Sequence, residues 1–173
     1  MDNDVLYTDG RFEEIVEEYS DMVYSVVLTR LRVKADADDA YQETFLTLLR
    51  KRPEFRNAEH LKGWLIRTAI NCCRHIEGSS WRKRTVPLEE RQAGEFRFRL
   101  EEENELFDAL GSLPEKYRTV MHLFYFRQMK TDDIAKALKL PPATVRSRLF
   151  RGRELMRKAL GSGFDGERTG EKA

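Results

Sequence analysis

The sequence predicts an all-α protein of two small helical domains joined by a charged, flexible linker, and three observations lead there. Almost every patterned stretch places its apolar residues at helical spacing, and no alternating run bounded by turn residues argues for a strand. Residues 82–102 combine a proline, a glycine and dense mixed charge with few side chains to bury, as a linker between domains does. Charge is also polarised. Residues 1–22 hold eight acids against Arg11, net −7, and residues 141–160 hold five arginines and Lys158 against Glu154, net +5, although the 173-residue chain carries only +1.

Helices are expected at 10–32, 37–51, 58–77, 103–110, 114–127, 131–138 and 143–160. The first rests on apolar periodicity alone. In the second, Tyr41, Phe45, Leu48 and Leu49 share a core stripe, with Asp39, Gln42, Glu43 and Leu46 opposite. In the third, Leu61, Leu65, Thr68, Ala69, Cys72 and Ile76 share one face, and Trp64, Arg67, Asn71, Arg74 and His75 lie roughly opposite. Ser112 and Glu115 have capping-box spacing, Pro114 suits a first turn, and Val120, Leu123 and Phe124 supply a core face to the helix that follows. Thr131 is placed to cap the sixth helix, Asp132 and Asp133 favour the positive end of its dipole, and Ile134, Ala135 and Leu138 form its apolar face. "KLPP" stops that helix, because residues before proline avoid helical geometry, and Pro142 opens the next. At about 100° per residue, Val145, Leu149, Met156 and Leu160 form the inward stripe of the last helix. Arg146, Ser147, Phe150 and Arg151 cluster away from it, flanked by Arg153, Arg157 and Lys158. The glycine-rich segment 161–173 reads as a disordered tail.

Function follows from what these faces carry. Helix, short turn and basic helix form the helix-turn-helix layout that enters the DNA major groove. Guanidinium forks, a hydroxyl and an aromatic edge on its exposed face suit guanine edges, thymine methyls and phosphates. The acidic rim around Leu46 suits a basic partner surface, or is a solvated face. Trp64 beside Arg67, Asn71 and Arg74 suits unpaired nucleic acid, where an aromatic stacks, arginines follow phosphate and an amide reads a base edge; packing between helices is the other use of that tryptophan. "WRKR" at 81–84 either tracks phosphate or is a solvated linker start.

Enzyme readings find little support. His60, His75 and His122 stand at unrelated spacings, no glycine-rich phosphate loop is present, and adjacent Cys72 and Cys73 point about 100° apart on a helix with no second ligand pair. We expect no catalytic residue, metal or cofactor. No apolar run approaches the roughly 18 residues of a membrane span, and no signal peptide is visible, so the expected compartment is a reducing cytoplasm with no membrane insertion.

Four blocks taken together carry a specific resemblance. "DADDAYQETFLTLLR", "HLKGWLIRTAINCCRHI", "SLPEKYRTVMHLFY" and "TDDIAKAL…TVRSRLFRGRE" resemble, in order and spacing from Phe12 to Leu160, the bacterial sigma factors of the extracytoplasmic-function (ECF) group of the sigma-70 family. The resemblance implies a sigma-2 domain over 1–81, the linker 82–102, a sigma-4 domain over 103–160 and the tail. It implies that Asp39, Gln42, Glu43 and Leu46 grip the clamp helices of the largest subunit of core RNA polymerase, with the polymerase flap as a further contact. It implies that Phe55, Trp64, Arg67, Asn71, Arg74 and His75 face the opened −10 element, with Asn71 and Phe55 at a pocket for a flipped base. Thr144, Arg146, Ser147, Phe150 and Arg151 would then read the −35 duplex. An anti-sigma factor that masks these surfaces is implied too. From its charge, the acidic linker stretch 89–105, net −4, is expected to mimic nucleic acid in the polymerase's RNA channel. Ala40-Tyr41 stands where the family has Leu-Val, and Gln128 and Ala143 stand where it commonly has glycine; the Gln128 loop is therefore expected to differ. The competing reading is a self-sufficient helix-turn-helix regulator whose N-terminal half dimerises.

Overall fold

The computed structural model describes residues 9–79 and 104–161, whose regular structure is all helical. Two units divide the chain, Met1–Gly94 and Glu95–Ala173. The expected linker, the stretch 81–84 and the tail beyond Gly161 lie outside the described residues.

In the first unit, α1 (Asp9–Leu31), α2 (Lys34–Lys51) and α3 (Ala58–Gly78) each pack on the other two. The inward stripe of α1 is Ile15, Tyr19, Met22, Val23, Val26 and Val27, all buried at helical spacing. Each such aliphatic side chain, fully buried, stabilises the unit by roughly 1.5–3 kcal/mol. Arg32, at φ 59°, closes α1 in the left-handed region, and its N–H donates to the Leu28 carbonyl at 2.9 Å. Helix α2 starts three residues earlier than its apolar pattern suggests, because Val33 is extended and Lys34 pairs with Asp38 one turn on. That hydrogen bond from Lys34 holds the Asp38 carboxyl below the ordinary carboxylate range, and Tyr24 of α1 donates to the same carboxylate at 2.9 Å. Asn57 caps α3, its side-chain oxygen accepting from the His60 N–H at 2.8 Å. Arg30 clamps the far end of α3 through two bonds to Glu77, at 3.2 and 3.0 Å.

Two expected faces are corrected here. Leu49 is 37% exposed, and the buried face of α2 runs through Ala37, Ala40, Thr44, Phe45 and Leu48. Helix α3 buries Leu61, Leu65, Ile66, Ala69, Ile70 and Cys73, leaving Thr68, Cys72 and Ile76 half-buried. The helix is rolled toward Ile66 and Cys73 because it packs on two neighbours rather than one.

The second unit contains α4 (Asn104–Ser112), α5 (Glu115–Met121) with a π-helical turn at His122–Phe126, α6 (Thr131–Leu138) and α7 (Pro142–Leu160). Helix α7 packs on α4, α5 and α6. Neither expected side-chain cap forms. Pro114 is the N-cap of α5 and Ser112 instead donates to the Ala109 carbonyl; Lys130 caps α6, so Thr131 is already its first helical residue. The turn between α6 and α7 is made by Lys139 at φ 55° and extended Pro141, with Pro142 in the first turn as expected. Gln128 adopts the left-handed conformation itself, φ 55°, and its side-chain amide donates to the Tyr125 carbonyl at 2.7 Å. The loop therefore keeps the conformation a glycine would favour, at a cost of about 1–2 kcal/mol.

At Gly152, α7 packs closely against α5. A Cβ there would sit 2.7 Å from Cγ and 2.9 Å from Sδ of Met121, itself buried. Gly152→Ala is expected to lose about 1–2 kcal/mol in urea unfolding, overpacking outweighing the gain in helix propensity. Gly63→Ala on α3, where nothing lies within 4 Å, should gain about 0.5–1 kcal/mol. Equal effects would contradict the close-packing argument.

His122 is buried and stacks on Phe126 with ring centroids 5.6 Å apart. Burial, and then the charge of Arg127, pushes its imidazole from 6.5 down to about 3. A neutral folded histidine contributes stability that is complete above about pH 6.5 and lost as pH falls toward 3, by up to about 1.4 kcal/mol per pH unit. Denaturant unfolding between pH 7.5 and 4.5 should show the wild type losing stability relative to His122→Gln. A pH-independent difference would remove this role.

Candidate functional site

Helices α2 and α3 are held side by side in the first unit, and their outer faces line one open groove of about 860 Å³. The α2 wall presents Asp39, Gln42, Glu43 and Leu46, with Leu46 47% exposed. The α3 wall presents Trp64, Arg67, Asn71 and His75. Two faces that the sequence presents separately are thus brought to one place. The walls differ in character: carboxylates and an amide on one side, an indole, a guanidinium, an amide and an imidazole on the other.

Thr47, Arg50 and Lys51 also line the groove, and sequence reasoning missed them. Thr47 and Arg50 lie four and seven residues beyond Glu43, a helical signal that was available. Arg50 pairs with Glu43 and donates to Thr47 Oγ1 at 3.3 Å. Any cation that engages Glu43 from outside must displace or share that partner. Cys72 lies on the groove floor, where burial, the largest influence, pushes its thiol up and keeps it protonated.

Arg74 and Phe55 are not on the groove walls. Arg74 is half-buried. Phe55 is 8% exposed, its ring meeting the rings of Trp64 at 5.8 Å and His60 at 5.5 Å, both edge to face. It supports Trp64 from beneath and sets the pose of that indole.

In the second unit, α7 turns Arg146, Ser147, Phe150 and Arg151 to solvent, with Phe150 62% exposed and Thr144 half-buried. Val145, Leu149 and Met156 are buried, so the roll read from the sequence is the observed one. Ser147 donates to the Thr144 carbonyl at 3.0 Å, and Arg151 Nη1 donates to Glu154 Oε2 at 2.8 Å. Arg153 is committed inward: its Nε donates to the Tyr125 hydroxyl at 2.7 Å, and its guanidinium lies over the Phe124 and Tyr125 rings. Part of the basic charge on this helix is therefore structural.

Two family matches divide along the same two units. The family described as sigma-70 region 2 matches residues 15–85, and sigma-70 region 4 matches residues 103–156. The chain belongs to the sigma-70 family. Within it, similarity runs to ECF members. The chain is 29% identical over 167 residues to the ECF RNA polymerase sigma factor SigW of Bacillus subtilis, covering 86% of this chain and 88% of that one. It is 28% identical over 165 residues to the RNA polymerase sigma-H factor of Pseudomonas aeruginosa, covering 86% of each. Among solved structures, the sigma factor RpoE in complex with the anti-sigma factor NepR from Bartonella quintana matches with a TM-score of 0.68 at 17% identity, over 88% of this chain and 98% of that one. CnrH in complex with the cytosolic domain of CnrY matches with a TM-score of 0.62 at 20% identity, over 91% and 92% of the two chains. These two likenesses show the fold of this ECF sigma-70 member to be the one those chains share. Among its described residues no helix is long and apolar enough to cross a membrane, and no cluster of histidine, cysteine and carboxylate side chains is suited to hold a metal ion.

Phe55→Ala tests the support beneath Trp64. In a Trp81→Phe background, so that Trp64 alone fluoresces, the variant should lose about 3 kcal/mol and shift its emission to longer wavelength. Unchanged stability and emission would show that Phe55 does not hold the indole.

Proposed function

We propose that this chain is a promoter-specificity subunit that binds core RNA polymerase and directs initiation by reading −35 duplex and opened −10 DNA. The observation that carries the reading is the succession of sigma-70 regions 2 and 4 in one chain, each with a face chemically suited to its part. In this reading residues 1–81 bind polymerase and melt the −10 element, 82–102 link, 103–160 read the −35 element, and 161–173 form a tail.

Asp39, Gln42, Glu43 and Leu46 dock on the basic clamp helices of the largest subunit, carboxylates supplying register and Leu46 an apolar anchor. Trp64, Arg67, Asn71 and His75 engage the unpaired strand by stacking, phosphate contact and base-edge hydrogen bonds, with Arg74, which lies off the groove walls, as a flanking phosphate contact. Phe55 acts here through Trp64. Extruding a base costs a few kcal/mol, which favours a preorganised receptor. Thr144, Arg146, Ser147, Phe150 and Arg151 enter the −35 major groove, the arginines reading guanine or gripping phosphate and Phe150 meeting thymine methyls. The chain contributes no catalytic group; nucleotide addition belongs to core polymerase, and the compartment is the cytoplasm. An anti-sigma factor is a fitting further partner, since one similar solved structure is a sigma factor held by one. The self-sufficient regulator fares worse, because the half it assigns to dimerisation is the half that matches sigma-70 region 2.

Charge reversal at Asp39 and Glu43 to lysine should weaken binding to core polymerase more than tenfold while sparing binding to duplex DNA. Asn71→Ala should bind core polymerase and the −35 duplex like the wild type, yet reduce permanganate reactivity of −10 thymines. Core binding unaffected by the reversals, or full permanganate reactivity in Asn71→Ala, would overturn the corresponding assignment.

A further inference from the structure

The basic helix α7 carries a single acid. Between residues 141 and 160 six cations surround Glu154, and its carboxylate accepts from Arg151 Nη1 at 2.8 Å. Both side chains are substantially exposed, at 48% and 37%. An exposed i,i+3 pair of this kind contributes little to stability. An acid on a surface that meets DNA also repels phosphate, so its place there calls for another reason.

Geometry supplies one. A free arginine side chain explores many rotamers, and its planar fork gains from being set before it meets a base edge. Arginine has five N–H donors in that fork, and the bond to Glu154 engages one of them, leaving four for a ligand. Arg153 shows the contrast two residues on, held inward by Tyr125 and by the rings beneath it. Arg151 is instead held along the exposed face of the helix that also carries Phe150 and Ser147.

We propose that Glu154 is a specificity-determining residue of the −35 surface: it positions the Arg151 fork for one base pair and disfavours phosphate-only docking by that arginine. The inference rests on the reading of α7 as the −35 reader. Glu154 touches no base; it acts through Arg151. Without the carboxylate, Arg151 is free to take the nearest phosphate, which every sequence offers, so general affinity rises and discrimination falls.

The test uses the full chain with core polymerase on a promoter that it transcribes, on single-base-pair variants of that −35 element, and on unrelated duplex. Arg151→Ala first identifies the base pair whose identity is no longer sensed. Glu154→Ala should lower discrimination at that pair at least fivefold. It should also tighten binding to unrelated duplex, with the salt slope steeper by about one unit. Glu154→Gln, whose amide oxygen still accepts from Arg151, should keep more of the discrimination than alanine does, although both remove the charge. In the Arg151→Ala background, Glu154→Ala should change discrimination no further. Discrimination within twofold of wild type, an equal loss on all promoters, or an equal loss without Arg151 would overturn the proposal. Failure of the wild-type chain to direct initiation, or a wild type indifferent to the −35 sequence, would instead overturn the reading beneath it.

Discussion

Each helix in this protein buries one face, and the roll which that burial imposes decides what chemistry is left for a ligand. In the second unit the constraint is visible at Gly152, where α7 comes so close to Met121 that a single methyl group would not fit without a shift. With Val145, Leu149 and Met156 turned inward on either side of that contact, Arg146, Phe150 and Arg151 have only the outside to occupy. The display of this helix's charge on one exposed face is thus a consequence of packing. That charge is also smaller in effect than the residue count implies, since Arg153 serves the core and Arg151 is already hydrogen-bonded.

In the first unit the same constraint acts through three helices at once. Burial of Phe45 and Leu48 on α2 and of Leu65, Ile66, Ala69 and Ile70 on α3 sets the two side by side. Their remaining faces then meet as a groove whose α2 wall sets Asp39 and Glu43 beside Arg50 and Lys51 and whose α3 wall is aromatic and basic. Polymerase docking and strand capture, which we propose for those walls, would then share a scaffold, so that anything that changes the α2–α3 spacing alters both. The Arg30–Glu77 clamp and the Tyr24–Asp38–Lys34 cluster hold α1 against the pair and keep that spacing fixed.

Much of this was legible in the sequence, for identifiable reasons. Seven helices announced themselves by period. The roll of α7 was readable because most residues between Val145, Leu149 and Met156 are charged, so few side chains compete with those three for the inward face. The roll of α3 was misread by part of a turn because apolar and borderline residues lie on both sides of its core stripe, so Thr68, Cys72 and Ile76 compete with Ile66, Ile70 and Cys73 for the inward face. Phe55 sits in a connection, where no periodicity exists to separate a buried ring from a presented one. Caps expected at Ser112 and Thr131 were displaced to Pro114 and Lys130, because an extended backbone at the first position already sets the helix entry. The merging of two faces into one groove is a tertiary fact with no linear signature, whereas the pairing of Glu43 with Arg50 seven residues on was open to a helical reading. The family resemblance supplied roles for these residues that no wheel could.

The central claim is that this chain confers promoter choice on a polymerase. It is tested most directly by transcription of a randomised promoter library with purified core RNA polymerase, with and without the chain, followed by sequencing of the transcribed templates. Transcripts should require the chain and come from templates sharing two spaced motifs, one at the −35 and one at the −10 position. A chain that binds DNA but never brings core polymerase to initiate would contradict it.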